Sequence, residues 1–114
     1  MSESTGFNSS FSDHIRSTIR THAAKVMPGF LEMLNLYCTA RYGKDVYTLL
    51  ISSPCTLYKA LVDLYKSERS AHAILKMMLK ALAHREEDVE VLLEYMRMCR
   101  DSEFLELLRK ILTK

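Results

Sequence analysis

Apolar residues recur along this chain at three- and four-residue steps rather than at two, which is the period of helices packed against a core. Over 13–27 the stripe is thin: Ile15, Ile19 and Val26, with His22 in the same sector. Ser12 and Asp13 can accept the unpaired first-turn N–H groups, so they are the predicted caps. Pro28-Gly29 then breaks the helix, because proline removes a donor and pushes the preceding residue out of helical geometry. Over 30–42, Phe30, Leu31, Leu34, Tyr37 and Cys38 form a broad apolar face that Met33, Leu36 and Ala40 extend, and Gly43 is the predicted stop. Asp45 can cap a short helix over 46–51, although Val46, Tyr47, Thr48 and Ile51 would also suit a strand. Ser53-Pro54 is a start signal for a helix carrying Leu57, Tyr58, Leu61, Leu64 and Tyr65. A polar turn over 66–70 leads to helices over 71–83, 86–99 and 102–112, the last capped by Asp101 or Ser102. Glu86, Glu87 and Asp88 suit the positive end of their helix.

These elements predict an all-α fold, a compact bundle of five to six short helices. Residues 1–11, MSESTGFNSSF, are Ser-rich and poor in apolar groups, so they read as a flexible leader, with 12–114 as a single helical domain. Five Gly and Pro together in 114 residues are too few for a sandwich or barrel, which needs a turn every ~8–12 residues.

Two helices carry more apolar surface than a one-sided stripe requires. In the helix over 71–83, Ile74, Leu75, Met77, Met78, Leu79, Ala81 and Leu82 cover about 200° of the wheel, against the ~100° of an ordinary surface helix. In the next, Val89, Leu92, Leu93 and Met96 face one way, and Val91, Tyr95, Met98 and Cys99 widen the arc to about 220°. A chain this short buries only about two-thirds of the surface its unfolded form exposes. Either both helices are central, one as the hub of a monomeric bundle, or one lies in a subunit contact. The expectation drawn here is a homodimer, or contact with another protein, through Met77, Val91, Tyr95 and Met98, since closed twofold assembly is the commonest way to cover such surface.

Composition adds limits. With 48% apolar residues and a net charge of +2, the chain has the means to fold, which excludes wholesale disorder. No apolar run approaches the ~18–20 residues that cross a bilayer, and the first twelve residues lack the pattern of a secretory signal. Cys38, Cys55 and Cys99 are odd in number, scattered and without CxxC spacing. They read as buried reduced thiols, and the protein as cytoplasmic.

Candidate chemistry is sparse. There is no glycine-rich phosphate loop, HExxH, GxSxG or EF-hand loop, and His14, His22, His72 and His84 stand at no metal-ligand spacing. No catalytic residue, metal site or cofactor is predicted, and the chain is not read as an enzyme. Charge is more informative: residues 45–85 carry six Lys or Arg against three Asp or Glu, and residues 86–114 carry five against eight. Arg69, His72, Lys76 and Lys80 fall within about 80° of one another on one helix face, a basic ridge that Arg16 and Arg20 supplement. Such a ridge can lie along phosphates, so nucleic-acid binding is the alternative function. Against it stand a turn over 66–70 without the glycine common in helix–turn–helix motifs, a pI of 8.5 and no interleaved aromatics. The plainer reading is a solvated stripe, or one paired with Glu87, Glu90 and Glu94 of the next helix or of a partner subunit.

The stretch RYGKDVYTLLISSPCTLYKALVDLY, followed by SAHAILKMMLKAL, resembles a small archaeal helical family, the Nitrosopumilus output domain. In that family a helix ends at a glycine and a short segment leads to a proline. A helix with an aromatic residue ahead of a core leucine follows, then an aromatic-Gly turn and an apolar helix. Gly43, Pro54, Tyr58, Leu61 and Tyr65 stand in that order here, while Lys66 occupies the family's glycine position. The resemblance covers about a third of the chain. It implies an archaeal, cytosolic regulatory or interaction module with no assigned catalytic residues, and it says nothing of the two acidic C-terminal helices. Residues and resemblance together lead to one expectation: a non-catalytic protein–protein interaction or regulatory module.

Overall fold

The chain is described by a computed structural model covering residues 9–113, with side chains from residue 12. Seven helices and no strand are found among the described residues: α1 (Ser9–Val26), α2 (Phe30–Tyr42), α3 (Val46–Ser52), α4 (Pro54–Tyr65), α5 (Glu68–Leu82), α6 (Glu86–Arg97) and α7 (Asp101–Leu112). The all-α class holds, with one helix more than the expected range. Of the predicted leader, residues 1–8 lie outside the described residues, and Ser9 to Phe11 already belong to α1. Ser12 and Asp13 therefore sit inside the helix instead of capping it.

The buried stripe of α1 is Ile15, Ile19 and Ala23, one residue per turn; Val26, expected on that stripe, is exposed. The predicted break follows at Pro28-Gly29, where Gly29 takes φ 80°, a left-handed value open to a residue without Cβ. Gly43 ends α2 in the same region, its N–H donating to Thr39 O at 2.9 Å.

The segment that suited helix or strand is helical, and hydrogen bonding accounts for it. Asp45 Oδ1 accepts from the Thr48 N–H at 2.8 Å, and Asn35 Oδ1 on α2 accepts from the Val46 N–H at 2.8 Å. Two of the donors that a helix start leaves unpaired are thereby satisfied, while Val46, Tyr47, Leu49 and Leu50 turn into the core. Asp45 also receives Arg16 Nη1 of α1 at 2.9 Å. Partial burial pushes the Asp45 carboxyl up, but the Thr48 and Arg16 bonds outweigh this and leave it below the usual carboxylate range. A group whose folded pKa is depressed adds stability above its unfolded pKa and loses it as pH falls through the folded value. Thermal melts from neutral to acid pH should therefore show the wild type more stable than Asp45→Asn near neutrality, with the two converging in acid. A constant gap at all pH values would contradict this role for Asp45.

Two predicted caps are rearranged. Ser53 makes no side-chain bond to the first turn of α4. That turn is served by Asp101, expected to cap its own helix: its Oδ1 accepts from the Cys55 N–H at 3.1 Å across 46 residues of sequence. The start of α7 has no side-chain cap.

After α4 the chain turns at Lys66, which adopts φ 55°, the left-handed geometry that favours glycine. Ser67 Oγ then accepts from the Ser70 N–H at 3.2 Å, so α5 begins three residues ahead of the expected start. Helix α5 lies between α1, α4 and α6. Ala71, Ile74, Leu75, Met78, Leu79 and Leu82 are all buried there, which absorbs most of its wide apolar arc. It is the hub of the bundle. Helix α6 closes two residues short of the predicted Cys99. Cys99 itself is left-handed at φ 58°, its N–H donates to Met96 O, and the Arg100 N–H reaches back to Tyr95 O at 2.8 Å. That pair of bonds is a Schellman cap with cysteine in the glycine position. It turns the chain back so that α7 packs on α6 and α4 through Phe104 and Leu108.

Candidate functional site

The geometry of the α6 terminus corrects the reading of the cysteines. Cys55, second residue of α4, and Cys99 are joined by a disulfide spanning 44 residues, with Cα atoms 4.7 Å apart, inside the range such bridges adopt. Only Cys38 is a buried free thiol. Burial, with Asp45 adding to it, pushes that thiol up to about 11, so it stays protonated and packs as a small apolar group. Nothing in the spacing signalled the bridge, because the two residues meet only through the αL turn at Cys99 and the packing of α4 against α6.

The predicted contact residues divide. Met77 and Tyr95 are half-buried against the core, whereas Val91 on α6 and Met98 just after it remain 40% and 48% exposed. A larger uncovered surface lies elsewhere. On α2, Met33 and Leu36 are 71% and 72% exposed, one turn apart, and Ala40 continues their line one turn further on. This helix buries Leu31, Leu34 and Cys38 on its opposite side and packs on α1 and α3. Sequence periodicity had placed Met33 and Leu36 as an extension of the buried face. The signal that separates them is that apolar residues encircle α2, so one side must be left outward once the other is packed.

The basic ridge is partly neutralised in place. Lys76 Nζ stands 2.8 Å from Glu90 and 3.6 Å from Glu86 of α6, and Lys80 Nζ stands 3.8 Å from Glu86. The Glu90 contact raises the Lys76 ammonium above its usual range. His72 is turned onto α4, where its Nε2 lies 2.8 Å from the Tyr58 hydroxyl with the rings edge to face. Burial foremost, with Glu68 second, pushes the Tyr58 phenol up. Arg69 is exposed. Arg16 is held by Asp45, its guanidinium carbon 5.0 Å from the centre of the Tyr47 ring. Arg20 lines the crevice between α1 and α2 with Arg16, whereas Lys76 and Lys80 lean on α6, so the ridge is divided between two sets of partners.

A crevice of 540 Å³ between α1 and α2 is lined by Arg16, Arg20, Glu32 and Tyr47 among others. The Tyr47 hydroxyl is buried there without a hydrogen-bond partner of good geometry among the described residues. Two cations and an acid line this crevice, and Arg16 is already paired, so it has no dominant charge to select a ligand. Among the described residues no group of His, Cys, Asp and Glu is placed to hold a metal ion, and no helix is long and apolar enough to cross a membrane. The chain matches no protein-family model, no curated protein and no solved structure.

Proposed function

We propose that this chain is a non-catalytic interaction module that acts as a homodimer, with the outer face of α2 as its contact. The observation that carries this reading is the exposure of Leu36 and Met33, 72% and 71%, on adjacent turns of one helix. Covering such a side chain is worth about 1.5–3 kcal/mol, and the described elements do not supply the cover. No charge stands at 33, 36 or 40, spacing that suits a second helix laid along the first. A twofold contact brings the same residues from both chains and closes without leaving a new apolar surface. Val91 of α6 and Met98 at its C-terminal cap are the smaller second patch, available to a further protein. The resemblance of 41–82 to an archaeal output-domain family supports a regulatory setting for such a module. Nucleic-acid binding is the weaker reading, because Lys76 and Lys80 are already engaged by α6.

Light scattering tests the proposal. The expected mass is twice 13.2 kDa. Leu36→Glu should return it to a single chain and Met98→Glu should leave it unchanged, because a buried unpaired carboxylate is costly only where the contact forms. A single-chain mass at all concentrations would overturn the homodimer, and dissociation by Met98→Glu alone would move the contact to α6.

A further inference from the structure

We propose that the Cys55–Cys99 bond is a thiol–disulfide exchange site open to a low-molecular-weight thiol such as glutathione, with Cys99 Sγ the sulfur attacked. Three separate features point to it. Cys99 is exposed, and so are its neighbours Met98 and Arg100, so a small thiol can approach from solvent. Cys55 is partly buried and occupies the second position of α4, a helix of 12 residues. The positive end of that helix favours a thiolate there, which makes Cys55 the better leaving group. The Asp101 carboxylate, bonded to the Cys55 N–H, acts in the opposite sense. Finally, Cys99 is held at φ 58°. A residue with a Cβ is disfavoured in that region, and opening the bond frees the turn to relax.

A depression of 400 Å³ adjoins the bond on its Cys55 side, lined by Cys55, Tyr58, Lys59, Asp63, Glu68 and Arg97 among others. Lys59 suits a carboxylate of a thiol peptide and Glu68 its ammonium group, while Arg97 is already held by Glu94. In the first step the external thiolate forms a bond to Cys99 Sγ as the Cys55–Cys99 bond breaks, and the electron pair leaves on Cys55 Sγ, which then takes a proton from water. A second thiolate attacks the small thiol's sulfur in the mixed disulfide and releases Cys99 as a thiolate. Two external thiols are oxidised to one disulfide, and the protein's disulfide is reduced to two thiols. Cys38, fully buried, takes no part and serves as an internal reference.

The test is to hold the native chain in millimolar glutathione, quench with acid, alkylate and record intact mass while circular dichroism follows helicity. The expected result is two alkylatable cysteines at 55 and 99 with the helical signal retained. In Cys55→Ser, oxidised glutathione should label Cys99 at least ~10-fold faster than Cys38, as thiol access and thiolate character dictate. A bond that survives native glutathione and opens only in denaturant would overturn the proposal. So would Cys99 labelling no faster than Cys38, or a purified chain whose thiols never pair in oxidised glutathione.

Discussion

Phe104→Ala is expected to destabilise the fold by about 3–5 kcal/mol, the range seen when a fully buried aromatic side chain is removed. Phe104 is wholly inaccessible and stands at the first turn of α7, which is held to the body by α6 and α4 alone among the stronger helix pairings. Only Leu108 joins it as a fully buried residue of that helix; Leu105, Leu107, Ile111 and Leu112 are partly covered. Truncation leaves a cavity that neighbouring helices can fill only by moving. The missing cap at the start of α7 means that local hydrogen bonds do not compensate. Urea titration should show a midpoint far below that of the wild type, because total stability of such a domain is only about 5–15 kcal/mol. Amide exchange should rise first in α7. A loss under ~1 kcal/mol would mean that Phe104 is not the anchor described.

Removing the Cys55–Cys99 link is the other large effect. A cross-link closing a loop of 44 residues restricts the unfolded chain, and the entropic estimate for that length is about 4 kcal/mol, with measured values usually about 2–4. Cys55→Ser combined with Cys99→Ser should therefore melt well below the oxidised wild type and close to the reduced one. Cys55→Ser combined with Cys99→Gly should recover about 1 kcal/mol of the loss, because glycine accepts the left-handed turn at 99 without steric cost. If the two double variants melt together, the geometry at 99 contributes nothing; if both match the oxidised wild type, the cross-link is not a stabilising element.

What could be read from the chain divides along a physical line. Features decided within a few residues were legible: the Pro28-Gly29 break, the stop at Gly43, the Asp45 cap and the acidic first turn of α6 all stand where local chemistry puts them. Features decided by segments distant in sequence were not. Ser53 has the composition of a cap, yet Asp101 serves the start of α4 from 46 residues away. Cys55 and Cys99 carry no spacing signal because the turn that joins them depends on a left-handed cysteine. Periodicity also measures how much apolar surface a helix has without saying which part of it finds cover. The excess assigned to α5 is consumed by its place at the hub, while the excess on α2, a peripheral helix, stays outside with Met33 and Leu36. Charge was legible in part: pairing with the next helix was expected at Glu87, Glu90 and Glu94, and Lys76 does meet Glu90, but Glu86 takes the other contacts while Glu87 and Glu94 are held by Arg85 and Arg97.

The central claim, that one copy's α2 covers the other's, is tested most directly by nuclear magnetic resonance on a mixture of isotope-labelled and unlabelled chains. Filtered experiments on that sample detect only contacts between copies. Cross-peaks are expected that link the Leu36 and Met33 methyl groups to the same residues of the other chain. A concentrated sample in which those methyls show no intermolecular contact, with Leu36 still exposed to a soluble paramagnetic probe, would contradict the claim.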